Sequence, residues 1–147
     1  MKKLLFTLLC LFALTGVAQE ISLIPQPAEM KVNEGKFLFR GKVVLVYPKI
    51  KDSGIDAVVD NFVDEMKAAT GIKLKKDRLK SAKLHGFDVI KNNKKGDAHI
   101  VLSVDETFGD EAYRLSVSAK RIDITAAKPA GFFYAFQTLK QLMPRNV

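Results

Sequence analysis

The sequence predicts an α+β domain in which two main helices pack on one face of a mixed β-sheet. Three observations carry that expectation. Two segments, residues 55–66 and 132–143, repeat their apolar side chains at helical spacing. Several short runs alternate polar and apolar residues, or concentrate β-branched ones, as strands do. The order along the chain is strands, helix, strands, helix, which suits helices layered over a sheet.

The first residues, "MKKLLFTLLCLFALTGVAQE", place Lys2 and Lys3 before an apolar run over residues 4–14 and then the small residues Gly16, Val17 and Ala18. This is the layout of a secretory signal peptide cleaved after Ala18, and the run is short for a membrane span. The expected location is therefore exported, periplasmic or extracellular, with no membrane attachment after cleavage. Cys10, the one cysteine, lies inside the run behind Leu8 and Leu9, where a lipoprotein site would need small residues. The mature chain, 19–147, then has no thiol, disulfide or Cys-ligated metal. Loss of Lys2 and Lys3 takes the net charge from +8 to +6. About 129 residues suit one domain with one core.

The mature chain opens on "ISLIPQPAEM", where Pro25 and Pro27 favour an extended segment. Phe37 and Phe39 alternate with Lys36, Leu38 and Arg40 and read as a strand; "VVLVY" at 43–47 reads as a second, more buried one. In "DSGIDAVVDNFVDEMKAATG", Ile55, Val58, Val59, Phe62, Val63 and Met66 form the apolar stripe of a helix. Asp52 or Ser53 is the expected N-cap, and Gly71 the left-handed residue that ends the helix. Ile72 and Leu74 alternate with lysines as on a guarded edge strand. "NNKKGD" reads as a turn between strands at 87–90 and 98–104. In "YRLSVSAKRIDITA", alternation of Tyr113, Leu115 and Val117, then Ile122 and Ile124, predicts a hairpin turning at Ala119 and Lys120. The last helix should start near Pro129 and end before Pro144.

The candidate chemistry is sparse. Paired carboxylates could serve a glycosidase, and three Asp-Glu dipeptides occur. Asp64-Glu65 falls on the solvent side of the first helix. Asp105-Glu106 follows a strand end, yet adjacent residues there point to opposite faces; Asp110-Glu111, beside Gly109, shares its predicted loop. His85 and His99 are the only histidines and have no metal-ligand spacing. There is no Gly-x-Ser-x-Gly elbow and no glycine-rich phosphate loop. The basic stretch 73–95 offers only Phe87 for base stacking, so nucleic acid is not expected as a partner. The residues alone yield no catalytic, cofactor-binding or metal site.

Several stretches taken together carry a family resemblance. "SLIPQPAEMKVNEGKFLF", the "ATGIKL" turn and "DEAYRLSVSAKRIDITAAKPAGFFYAFQTLKQLMP" resemble, in order, the N-terminal domain of family 20 glycoside hydrolases, the β-N-acetylhexosaminidases. The matching positions are Ile24, Pro25, Gln26 and Pro27; Glu34 and Gly35; Glu111, Ala112, Tyr113 and Leu115; and Gly131, Tyr134, Gln137, Thr138, Leu139, Gln141 and Leu142. The resemblance implies a sheet with helices packed on it, leading from its last helix into a catalytic (β/α)8 barrel. Such enzymes cleave terminal N-acetylglucosamine or N-acetylgalactosamine, with the sugar's acetamido oxygen as nucleophile. Their Asp-Glu pair lies on the barrel, and no Asp-Glu here has that motif's context, so no catalytic or sugar-binding residue carries over. A barrel needs about 250 residues, and three residues follow Pro144. The expectation is a truncated or fragmentary chain, inactive alone, whose partner is the missing barrel and which meets glycan only through it. The competing expectation is a stand-alone secreted glycan-binding module using the lysine-rich edge.

Overall fold

The structure is a computed structural model and describes residues 23–24, 35–49, 54–79 and 98–143. It contains strand β1 (Val43–Pro48), helix α1 (Ile55–Thr70), strands β2 (Lys75–Leu79), β3 (Ala98–Val104), β4 (Tyr113–Val117) and β5 (Arg121–Ala126), and helix α2 (Pro129–Gln141). The sheet runs β2-β1-β3-β5-β4. β1 pairs in parallel with both β2 and β3, β3 pairs in parallel with β5, and β4 closes the sheet antiparallel to β5. It is the mixed sheet with two helices that the sequence implies.

The interior strand β1 is buried along its whole length, which is why its sequence is continuously apolar rather than alternating. Val43, Leu45 and Tyr47 point toward the helices, with Ile100, Leu102, Ile122, Ile124 and Ala126 beside them. Val44 and Val46 form a smaller cluster with Leu79. The helices answer with Val59, Phe62 and Met66 from α1 and Phe132, Ala135, Phe136 and Leu139 from α2. At the centre Phe62 and Phe136 stack with ring centroids 4.0 Å apart and planes 4° from parallel. Both are almost fully buried, and each contributes about 1.5–3 kcal/mol of hydrophobic transfer.

Three local expectations change. The run 35–40 is not a strand: Arg40 N–H donates to the Leu38 carbonyl at 2.8 Å across a tight γ-turn, and Gly41 follows at φ 64°. Phe37 and Phe39 are partly buried and meet edge to face at 4.9 Å, so the alternation records burial without a backbone ladder. The lysine-rich edge strand exists but begins at Lys75 instead of Ile72, because Lys75 is where pairing with Val44 starts. The N-cap of α1 is Gly54, at φ 74° and with no side-chain hydrogen bond; Asp52 and Ser53 lie outside the described residues. At the other end Gly71, at φ 73°, accepts the left-handed turn as expected, its N–H donating to the Lys67 carbonyl. The hairpin forms with Leu115 opposite Ile124 and Val117 opposite Ile122. The expected strand at 87–90, the "NNKKGD" turn, His85, Pro25, Pro27, Glu34 and the leader also lie outside the described residues.

Candidate functional site

The three Asp-Glu pairs separate. Asp64 is exposed, but Glu65 is not a plain solvated carboxylate, as the sequence led one to expect: it accepts from Lys140 Nζ of α2 at 2.6 Å and from Asn61 at 3.2 Å. The Lys140 hydrogen bond holds its pKa below the ordinary carboxylate range. Nothing local announces this tie, since the partners are 75 residues apart. Asp105 builds a turn, its Oδ1 accepting from Thr107 N–H at 3.0 Å and Thr107 Oγ1 at 2.6 Å, while Glu106 is exposed. Asp110 and Glu111 are exposed in a turn closed by Ala112 N–H on the Gly109 carbonyl. Asp64-Glu65 lies on α1, while the other two pairs share the connection between β3 and β4. His99 is buried in β3, opposite Arg121. Among the described residues no three His, Cys, Asp or Glu side chains gather into a potential metal site, and no helix is long and apolar enough to cross a membrane.

Two cations of the lysine-rich edge are also engaged. Lys76 bonds Asp60 and Arg78 bonds Asp56, each at 2.5 Å. Acids one turn apart on α1 thus meet cations two residues apart on β2, the spacing at which helix and strand each repeat a face. Asp60 raises the Lys76 pKa. Burial, then the charge of Asp56 and a hydrogen bond to it, raises that of Tyr47.

The residues that do converge surround α2. Gly131 lies so close to the start of β4 that a β-carbon there would sit 2.5 Å from the Ala112 carbonyl oxygen and 2.8 Å from Ala126 Cβ. One residue further on, the Tyr113 hydroxyl shares a 2.6 Å hydrogen bond with Thr138 Oγ1, two turns along the helix. Near the end of α2 the Gln141 amide clasps a main chain: Oε1 accepts from Ile24 N–H at 2.9 Å and Nε2 donates to the Ile24 carbonyl at 2.8 Å. Gly131, Thr138 and Leu139 are buried. Phe133 is exposed and touches Tyr134 edge to face at 5.6 Å. The opening segment, the hairpin and the last helix are therefore fastened to one another by Ile24, Ala112, Tyr113, Gly131, Thr138 and Gln141. What this arrangement does chemically is hold a helix at a fixed height and angle on a sheet. Among the described residues around it, no acid, base and nucleophile converge.

Comparison with known proteins gives a consistent picture. A family model described as glycosyl hydrolase family 20, domain 2, matches residues 20–147. Among solved structures, the chain is similar to a GH20 exo β-N-acetylglucosaminidase from Vibrio harveyi solved with N-acetylglucosamine, at a TM-score of 0.62 and 22% identity, covering 83% of this chain and 16% of that one. It is also similar to a β-N-acetylhexosaminidase from Bacteroides fragilis NCTC 9343, at a TM-score of 0.54 and 22% identity, covering 84% of this chain and 21% of that one. At these identities the likeness is one of fold, and the chain spans only a small part of either structure. No curated protein matches it.

Proposed function

The chain belongs to glycosyl hydrolase family 20, as its domain 2, and from that membership we propose that it is the non-catalytic N-terminal domain of an exported β-N-acetylhexosaminidase. Its work is to seat and stabilise a (β/α)8 catalytic barrel that hydrolyses terminal N-acetylglucosamine or N-acetylgalactosamine from glycans. One observation carries this reading. Six of the residues that carry the family resemblance fasten the domain to itself: Gly131 against Ala112, Tyr113 on Thr138, Gln141 on Ile24. A catalytic domain would be expected to spend such residues around a cleft.

The coverage supports it, because the similar structures keep most of their chain outside the matched part. The leader-like start supports export, and the family match begins at residue 20, two positions after the expected cleavage point. The competing module is less favoured, because two cations of its edge, Lys76 and Arg78, are already paired with α1 acids.

The test is direct. Purified residues 19–147 are expected to release no chromophore from an aryl N-acetylglucosaminide, whereas the same domain joined to a barrel should support turnover. Turnover by 19–147 alone would refute a structural role. Binding to chitin fragments or acidic glycans that weakens with added salt would instead favour the glycan-binding module.

A further inference from the structure

The two helices cover the same sheet and turn different faces outward. α1 presents Asp60, Asp64 and Lys67, as a helix facing water does. The outer positions of α2 are Ala130, Phe133, Tyr134, Gln137 and Gln141, and no charge lies between Lys128 and Lys140. Five large apolar side chains are exposed among the described residues, and three of them belong to this region: Phe133, Leu142 and Ile24. Isolated exposed apolar residues are ordinary; a charge-free, aromatic-bearing helix face with others beside it has the composition of an interface centre.

Ile24 is the informative member. Its neighbour Leu23 is 7% exposed, whereas Ile24 is 78% exposed. Gln141 nevertheless commits both halves of its amide to the Ile24 main chain, fixing a residue whose side chain buries little within this domain. Ordering a side chain costs entropy, and a contact must recover it.

We propose that Ile24 is a contact residue of the surface on which the catalytic barrel sits, and that Gln141 is the positioning residue that holds it there. This rests on the reading that the domain seats a barrel. The uncharged, partly aromatic face suits a packed protein surface; an acidic glycan or polyanion would call for cations along it. α2 therefore contributes most of the described footprint, and Ile24, clamped to its end, adds to it.

The experiment compares residues 19–147 alone with a chimera in which residues 20–143 replace the matching domain of the Bacteroides fragilis enzyme. Thermal midpoints are read for Ile24→Asp, Gln141→Ala and Phe133→Asp in both settings. Ile24→Asp should shift the isolated domain by about 1 °C or less and lower the chimera by roughly 5 °C or more. Gln141→Ala should act in the same sense but less strongly, and should speed amide exchange at Ile24. Gln141→Glu, which keeps the acceptor, should recover part of the protection. If Phe133→Asp lowers the chimera while Ile24→Asp affects both settings equally or neither, the Ile24 assignment is overturned and the barrel-seating reading stands. If both are silent in the chimera, the barrel-seating reading fails and takes the assignment with it. Should the chimera not fold, sedimentation of residues 19–147 decides: the uncovered face should self-associate, and association that Ile24→Asp leaves unchanged overturns the proposal.

Discussion

Gly131→Ala is the sharpest probe of how α2 is seated. In an ordinary helix this change is favourable by about 0.8–1 kcal/mol, because alanine restricts the unfolded chain and glycine does not. Here the added methyl would lie 2.5 Å from the Ala112 carbonyl oxygen and 2.8 Å from Ala126 Cβ. Neither neighbour is the free end of a flexible side chain, so the helix must lift or β4 must move. Overpacking of this kind costs typically about 1–3 kcal/mol, and with two short contacts the upper part of that range applies. Subtracting the propensity gain leaves a net loss of about 2 kcal/mol, equivalent to a fall in melting temperature of roughly 7 °C for a domain of this size. Urea unfolding of residues 19–147, with slope and midpoint both fitted, measures it. Gly71→Ala is the companion: no atom lies within 4 Å of its added methyl, but its φ is +73°, so it should cost only the left-handed penalty of about 1–2 kcal/mol. A Gly131→Ala protein as stable as the parent would refute the close seating of α2 on the hairpin.

The remaining predictions concern the other ties. Tyr113→Phe should cost about 1 kcal/mol by removing its hydrogen bond to Thr138; a double-mutant cycle with Thr138→Val should return a coupling of similar size, and additive losses would argue against the bond. Glu65 has a lowered folded pKa, owing first to the Lys140 hydrogen bond, so its stabilisation is complete above the unfolded carboxylate value and disappears as pH falls through the folded one. Glu65→Gln should flatten that acid limb in urea midpoints measured between about pH 6 and pH 3, and an unchanged limb would sink the pairing. Tyr47 and Lys76 have raised values, so their contributions are complete below the unfolded tyrosine and lysine values and are lost as pH rises through the folded ones. Asp60→Asn should therefore diminish the alkaline limb.

Elements whose evidence is local were legible in the sequence. The bounds of β3 at Ala98–Val104, the hairpin turning at Ala119 and Lys120, the Pro129 start of α2 and the Gly71 end of α1 all follow from periodicity, turn residues and caps. Helical spacing over residues 132–143 also announced α2, whose Phe132, Phe136 and Leu139 are buried while Phe133 is exposed. The family motifs were visible as a pattern in order, without a reason for any one residue.

Tertiary structure alone supplied the reasons. The alternation of Phe37 and Phe39 could not reveal that no neighbouring strand pairs with them, since a ladder depends on a distant partner and alternation reports only burial. Glu65 looked solvated because Lys140 arrives from another helix, and the edge cations Lys76 and Arg78 meet Asp60 and Asp56 only once β2 lies parallel to β1. Gly131 is a glycine because a carbonyl from the hairpin occupies the space a side chain would need. Hydrophobic periodicity is a one-dimensional trace of which side faces inward, and it fixes the elements. Hydrogen bonds, ion pairs and close approaches link residues far apart in the chain, and the fold has to bring them together before they exist.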